Sequence, residues 1–319
     1  MEPHLPSAPV AVQTLLAPAL LLAAHALFAA EGGAGAEPQP PGVTGVLRHH
    51  LPFPSVLVAP RNVDVWLPPT YETVSGGRYP VVYMHDGQNL FDPATSFIGV
   101  DWGIDETMTR LIAERRIREA IVVGIWNTPK RREEYLPAKM FLSLKEGEER
   151  EAAFRGLADA GIVLDEASLL SDAYLRFLVT ELKPFIDRTY RTLPGRDDTF
   201  IMGSSAGALV SLYAVSEYPE VFGGAGCVST HWPVGNGMMI DYIKDRLPAP
   251  ETHKIYFDFG TETLDRGYEP YQKLMDQAME AAGYERDRNW MTMKFPGAEH
   301  SERAWRERVH VPLEFFLRN

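Results

Sequence analysis

The chain has 319 residues, and its hydrophobic and charged fractions of 45% and 23% are those of an ordinary water-soluble globular protein. Its formal net charge of -12 at pH 7 argues against nucleic acid or an anionic membrane as a partner. The one cysteine, Cys227, lies in an apolar run typical of a buried strand. The sequence therefore excludes an intramolecular disulfide and a cysteine-based metal site.

The N-terminus has the pattern of a secretory signal peptide over residues 1–36. Residues 15–30 are apolar but too few for a membrane span, and Ala34-Gly35-Ala36 offers a small-x-small cleavage site. Residues 1–4 contain no Lys or Arg, so a disordered extension is the alternative. We expect export to the periplasm or the medium, without stable membrane association after processing, or a cytoplasmic protein if the segment is not a signal.

Residues 37–54 contain a Pro- and Gly-rich stretch at 39–42 and are predicted to be a linker or N-terminal extension. Residues 55–319 then form one folded domain. Its first predicted elements are an edge strand at 61–67, a buried strand at 80–84, a helix at 105–117 and a buried strand at 120–126. Buried strands that alternate with helices predict an α/β fold, with a mostly parallel sheet and helices on both faces.

Residues 130–170 break this alternation, because they include a charged run at 145–150 and no clear strand. We interpret them as an insertion over the C-terminal edge of the sheet. The later predicted elements are a helix with an apolar stripe from 174 to 186, strands around Cys227, at 254–259 and at 290–295, and helices at 268–282 and 301–317.

The most informative stretch is Gly203-Ser204-Ser205-Ala206-Gly207, which follows a short apolar run and precedes a helix-forming segment. Strand, sharp turn and helix in this order are typical of a nucleophile elbow, in which the third residue is the nucleophile. This predicts Ser205 as a nucleophilic serine. It also predicts that a Cβ at Gly203 or Gly207 would crowd the turn. The alternative is a Gly/Ser-rich turn without chemistry.

A serine nucleophile needs a base and an acid that orients the base, and they follow such an elbow in the order acid, then histidine. Among nine histidines, only His300 lies in a loop after the last strand; His85 and His231 lie at strand ends and could line a pocket. Asp265 is the preferred acid because it reaches furthest into the loop after its strand. Glu262 and Asp258 remain alternatives.

The developing oxyanion also needs two hydrogen-bond donors. One should be the backbone N–H of Ala206, the residue after the nucleophile. The second should come from the turn after an earlier strand, and we assign it to the backbone N–H of Gln88. A backbone donor survives side-chain substitution.

Six motifs together resemble the putative esterase family, which includes feruloyl, acetylxylan and enterochelin esterases, S-formylglutathione hydrolases and antigen 85-type mycolyltransferases. They are His85-Asp86-Gly87-Gln88-Asn89-Leu90-Phe91, Trp102-Gly103-Ile104-Asp105, Gly203-Ser204-Ser205-Ala206-Gly207, Ser229-Thr230-His231-Trp232, Gly260-Thr261-Glu262-Thr263-Leu264-Asp265 and Gly297-Ala298-Glu299-His300. The resemblance covers about residues 55–318. It implies an α/β-hydrolase fold and a serine hydrolase without metal or cofactor, and it supports Gln88 as an oxyanion donor. In this family the offset of the acid after Gly-Thr varies.

Trp102 and Trp232 are predicted to line an aromatic substrate pocket, and packing in the core is the alternative for each. The expected activity is hydrolysis of a small-molecule or oligosaccharide ester through an acyl-enzyme, on acylated carbohydrates or feruloyl-type phenolic esters. A siderophore-lactone esterase and an acyltransferase are the alternatives. A catalytically inert binding module on the same fold is the alternative of another class.

Overall fold

In the computed structural model, the described residues are 42–318, and a central sheet of eight strands organises them. The strands are β1 (Val46–Phe53), β2 (Arg61–Leu67), β3 (Val81–His85), β4 (Ile121–Ile125), β5 (Thr199–Ser204), β6 (Gly224–Val228), β7 (Lys254–Gly260) and β8 (Trp290–Phe295). Their spatial order is β1-β2-β4-β3-β5-β6-β7-β8. β2 pairs antiparallel with both β1 and β4, and all the other neighbours are parallel.

Helices lie between the parallel strands and after the last one. They are α1 (Ile104–Ala113), α2 (Arg131–Tyr135), α3 (Ala138–Leu142), α4 (Glu148–Asp159), α5 (Ser171–Phe177), α6 (Lys183–Thr189), α7 (Ala206–Glu217), α8 (Met238–Ile243), α9 (Glu269–Ala281), α10 (Glu302–Arg308) and α11 (His310–Leu317). A π-helical turn, Leu178–Leu182, joins α5 to α6. Short 3₁₀ turns are formed by Gly87–Asn89, Glu166–Ser168, Arg196–Asp198, Val234–Gly237 and Thr263–Gly267.

The parallel strands at the centre of the sheet are buried along their whole length. Every residue of β3, β4, β5 and β6 is buried. A strand that is apolar on both faces needs helices on both sides of the sheet, which is why these runs carry no polar alternation. The predicted α/β fold with a mostly parallel sheet is confirmed.

The predicted insertion at 130–170 contains α2, α3, α4 and the Glu166–Ser168 turn. A buried ion pair attaches its first helix to the sheet. Arg61 on β2 donates to Glu134 on α2 through Nη1 at 2.9 Å and through Nη2 at 2.6 Å. The insertion is thereby held beside the C-terminal ends of the strands.

The N-terminal boundary differs from the prediction. Within the predicted linker 37–54, residues Val46–Phe53 form β1 and extend the sheet. Leu47 and Phe53 are buried, but the residues between them are half-buried or exposed, so the segment lacks the alternation that identifies a strand. The predicted signal peptide 1–36 lies outside the described residues. Within 42–318, no helix has the length and apolar character needed to cross a membrane.

Candidate active site

Ser205 lies between the end of β5 and the start of α7 in a strained backbone conformation, with φ 57° and ψ -120°. Its N–H donates to Val228 O at 3.0 Å, which fixes the turn against β6. A Cβ on Gly203 would lie 2.9 Å from the backbone of Gly207, so the predicted crowding is confirmed there. At Gly207 the prediction is wrong, because the nearest atom to a Cβ would be 3.4 Å away, an ordinary contact.

Asp265 and His300 meet at the same end of the sheet. Asp265 Oδ1 lies 2.6 Å from His300 Nδ1. Of the two other candidate acids, Glu262 pairs with Arg266 at 3.2 Å and is half exposed, whereas Asp258 is buried against Arg308. The structure therefore brings His300 together with Asp265.

Backbone contacts hold the acid turn against the histidine loop. The N–H of Glu262 donates to Ala298 O at 3.0 Å. A Cβ on Gly260 would lie 2.1 Å from that same oxygen, so only glycine permits this crossing of the two loops. The Asp265–His300 pair thus depends on a glycine at the end of β7.

The Asp265 carboxylate accepts further hydrogen bonds that keep it ionised. Ser229 Oγ and Gly260 N–H donate to its Oδ2 at 2.5 and 2.6 Å. Burial raises the pKa of Asp265, but the hydrogen bonds from His300 and Ser229 outweigh burial and bring the pKa below its usual value. An ionised Asp265 accepts from His300 Nδ1–H and leaves Nε2 free to take a proton. In the sequence, Ser229 is part of a motif but has no predicted role; its signal is its place directly after β6.

The two predicted oxyanion donors lie at the starts of helical turns. Gln88 is in the Gly87–Asn89 turn, and Ala206 is the first residue of α7. N–H groups in the first turn of a helix have no intrahelical acceptor, so both are suited to bind an anion. The Gln88 side chain is engaged elsewhere, since its Oε1 accepts from Asn127 N–H at 3.1 Å.

A cavity of about 440 Å³ contains Ser205 and His300 in its wall. The other lining residues include Asp86, Gln88, Asn89, Asn127, Arg131, Ser204, Ser301 and Glu302 on its polar parts and Phe97, Ile98 and Trp305 on its apolar parts. The cavity lies where β3, β5 and β8 end, which is the usual position of a ligand site in an open α/β sheet.

The prediction that Trp102 and Trp232 line the pocket is wrong. Both are fully buried, and neither contributes to the cavity wall. Trp102 packs behind Trp305, with ring centroids 5.4 Å apart, and Trp232 donates from Nε1 to Gln272 Oε1 at 2.9 Å. Trp305 lines the cavity instead and places its ring edge-on to His300 at 5.0 Å. Residue type alone does not distinguish an aromatic in the wall from one a layer deeper.

Arg131 enters the cavity from the insertion. Its Nε and Nη2 each donate to the Asp86 carboxylate at 2.7 Å, and Asn127 Nδ2 donates to the same carboxylate at 2.6 Å. Burial raises the pKa of Asp86, but Arg131 and Asn127 together bring it below the usual value. The site therefore contains a fixed, internally neutralised ion pair.

The other two histidines near the strand ends do not line the cavity. His85 is buried with Nδ1 2.8 Å from Tyr174 OH, and burial lowers its pKa to about 3. His231 Nδ1 lies 2.6 Å from Tyr268 OH, and burial together with the nearby His300 lowers its pKa to about 4. Both rings are neutral at pH 7, which leaves His300 as the histidine that faces the cavity.

Three carboxylates behind the site, Asp101, Asp105 and Glu106, lie within 4.8 Å of one another, close enough to share a cation. Arg306 already donates to Asp101 at 2.7 Å and to Glu106 at 2.8 Å. The guanidinium supplies the positive charge that this group requires.

A sequence model of the family described as putative esterase matches residues 55–155 and 163–313. The chain belongs to the putative esterase family. The uncharacterized protein YbbA of Bacillus subtilis is 24% identical over 261 residues, which cover 80% of this chain and 92% of YbbA.

Solved structures share its architecture. A ferulic acid esterase has a TM-score of 0.60 at 19% identity and is matched over 86% of this chain and 98% of its own. The enterobactin esterase FES from Shigella flexneri has a TM-score of 0.60 at 18% identity, over 88% of this chain and 60% of FES. These likenesses confirm the α/β-hydrolase fold predicted from the motifs.

Proposed function

We propose that this member of the putative esterase family is a serine carboxylic-ester hydrolase that works through an acyl-enzyme. The observation that carries the proposal is the 2.6 Å hydrogen bond between Asp265 and His300, at a cavity whose wall also contains the strained Ser205. A buried, ionised carboxylate that orients a histidine beside such a serine is the arrangement that serine acyl transfer requires.

The proposed reaction has two halves. Ser205 Oγ attacks the ester carbonyl while His300 Nε2 takes its proton, and the oxyanion is bound by the N–H groups of Gln88 and Ala206. His300 then gives the proton to the leaving alcohol, and the acyl-enzyme forms. In the second half, His300 takes a proton from water, which attacks the acyl carbonyl. The acid leaves as His300 returns that proton to Ser205 Oγ.

We propose acylated carbohydrates or phenolic esters as the substrate class. The cavity combines apolar surface from Phe97, Ile98 and Trp305 with polar groups such as Asn127 and Glu302, which suits a substrate with both an apolar ring and hydroxyl groups. A ferulic acid esterase among proteins of the same fold adds to this choice.

We also propose export. A mature N-terminus close to residue 37 in the protein recovered outside the cytoplasm would be the supporting result.

The test is hydrolysis of p-nitrophenyl acetate by the full chain and by Ser205→Ala. Loss of the nucleophile should lower kcat by a factor of about 1,000 or more. Ser216→Ala on the same helix is the matched control, because its Oγ donates only within α7, to Leu212 O. A fluorophosphonate probe followed by peptide mass spectrometry should place the label on Ser205 rather than Ser204.

Equal turnover by the wild type and Ser205→Ala would place the chemistry elsewhere. Absence of both turnover and labelling would favour an inert binding module. With activity established, feruloyl, acetyl-sugar and lactone substrates, each with and without an acceptor sugar, would separate the hydrolase from the lactonase and the acyltransferase.

A further inference from the structure

The loop between the Gly87–Asn89 turn and α1 presents two apolar side chains at the cavity. Phe97 is 85% exposed and Ile98 is 42% exposed, and both belong to the same cavity wall as Ser205 and His300. A single exposed apolar side chain is ordinary on a protein surface. Two consecutive ones beside a reactive serine are a candidate contact for the apolar part of a substrate.

Hydrogen bonds anchor the backbone of this loop at Phe97. The N–H of Phe97 donates to Asn89 Oδ1 at 2.9 Å, and Thr95 Oγ1 donates to Gln88 O at 2.6 Å. Asn89 is itself buried, and its backbone O accepts from Trp102 N–H at 2.8 Å. The backbone of Phe97 is therefore held by the same turn that carries the proposed oxyanion donor.

Asn89 also connects Phe97 to the opposite wall of the cavity. Its Nδ2 donates to Glu302 Oε1 at 3.5 Å, and Glu302 follows His300 by two residues at the start of α10. One buried amide thus contacts both the apolar loop and the segment after the catalytic histidine. A group bound against Phe97 would lie at a set distance from the reacting carbonyl, which is the requirement for selectivity in kcat/KM.

The geometry points to an apolar subsite, formed by Phe97 and Ile98, that receives an aromatic ring carried by the ester. This inference rests on the proposed esterase function and names the residues that select its substrate. The ring packs against the Phe97 phenyl group and removes apolar surface of both from water. The subsite selects aryl-bearing esters over esters with small groups only.

The first test measures discrimination with two pairs of esters. Methyl 3-phenylpropanoate against methyl acetate places the ring on the acyl side, and 2-phenylethyl acetate against ethyl acetate places it on the alcohol side. Phe97→Ala should lower the aryl-to-small ratio of kcat/KM roughly 10-fold in at least one pair, since the ring loses its apolar partner. Because the readout is a ratio within each pair of esters, a general change in activity cancels.

Two further variants test whether the effect depends on an apolar side chain at position 97 and is confined to that position. Phe97→Leu keeps an apolar side chain and should retain most of the discrimination. Val163→Ala is the matched control, because Val163 is also 85% exposed but does not line the cavity. An equal fall of the ratio in Val163→Ala and Phe97→Ala would overturn the subsite. So would an unchanged ratio in Phe97→Ala for both pairs of esters.

The second test measures binding without turnover, so that it separates the subsite from the proposed reaction. Methyl 3-phenylpropanoate is titrated into Ser205→Ala and into the Ser205→Ala, Phe97→Ala double variant, and Kd is measured by calorimetry. At least fivefold weaker binding in the double variant supports the subsite even if the wild type hydrolyses neither ester. Equal Kd values in the two proteins, both for this ester and for 2-phenylethyl acetate titrated in the same way, contradict the subsite, even if turnover establishes the esterase.

Discussion

The Ser229 hydroxyl supports the carboxylate behind His300. Its Oγ donates to Asp265 at 2.5 Å and accepts from Trp305 Nε1 at 3.1 Å and Arg308 Nη2 at 2.8 Å. Ser229 is fully buried and has φ 44°, a conformation that a larger side chain would adopt only with strain. One small side chain thus completes the hydrogen bonds of three others.

Ser229→Ala should weaken both the fold and the reaction. Trp305 and Arg308 would lose a buried acceptor, which costs about 1–3 kcal/mol of unfolding free energy. Asp265 would lose a donor, so we expect kcat/KM for p-nitrophenyl acetate to fall roughly 10-fold. Ser211→Ala is the control, because Ser211 is equally buried but donates only to a carbonyl within α7. Identical urea midpoints and rates for the two variants would show that Ser229 has no such role.

Asp105 is a buried carboxyl group with one unpaired oxygen. Its Oδ2 accepts from Thr44 N–H at 2.7 Å, while its Oδ1 is buried without a partner. Burial and the neighbouring Glu106 raise its pKa to about 7. The folded state thus holds a proton that the unfolded state releases near pH 4, and this contribution to stability falls as pH rises from about 4 to 7. The charges that face Asp105 are Glu106, Asp101 and the Arg306 cation that binds both.

Asp105→Asn keeps an acceptor for Thr44 and removes the carboxylate that must ionise. The variant should therefore be more stable than the wild type at pH 8 and close to it at pH 4.5, as measured by urea unfolding at both pH values. A difference between the two proteins that is independent of pH would contradict a raised pKa at this position.

The residues that the sequence could identify are those whose role follows from chain order. Ser205, Asp265 and His300 each follow a parallel strand of the sheet, so their meeting at one edge follows from topology. Trp305 and Phe97 could not be identified, because their exposure to the cavity depends on how α10 and a loop without periodicity pack. The prediction that Trp102 lines the pocket was wrong for the same reason, since its burial behind Trp305 is a tertiary feature.

The insertion at 130–170 could be predicted from the sequence only in part. Its existence could be predicted from the interruption of the strand–helix alternation, but not its attachment. Arg61 lies on a predicted edge strand and Glu134 in a charged segment, and both types are usually solvent-exposed. Their pairing inside the protein depends on how α2 is positioned against β2. This is a tertiary feature that a local sequence pattern does not predict.

Glu134→Gln should destabilise the protein by roughly 3 kcal/mol, because the Arg61 cation would remain buried without its counter-charge. The side chains of Arg61 and Glu134 are 1% and 0% exposed. The Glu151–Arg155 pair in the same insertion is 70% and 61% exposed, so Glu151→Gln is the matched control with an expected change below about 0.5 kcal/mol. Equal free energies of unfolding for the two variants would contradict the structural role of the buried pair.

Across the whole described chain, the sheet extends beyond the family match, because the match begins at residue 55 and β1 begins at Val46. β1 contributes Leu47 to the main core, and Phe53 packs edge-on against Phe177 and Phe185 at 5.9 and 5.1 Å. A chain over 55–319 would lose both side chains from the core and expose the edge of β2.

We therefore expect a chain over 42–319 to be more stable to urea than a chain over 55–319. A chain over 55–319 should lose more than about 3 kcal/mol, since each buried apolar side chain contributes roughly 1.5–3 kcal/mol. The exposed edge of β2 should also promote association, which size-exclusion chromatography with light scattering would detect. Equal urea midpoints and equal masses for 42–319 and 55–319 would show that β1 adds nothing to the fold, and that the unit begins where the family match begins.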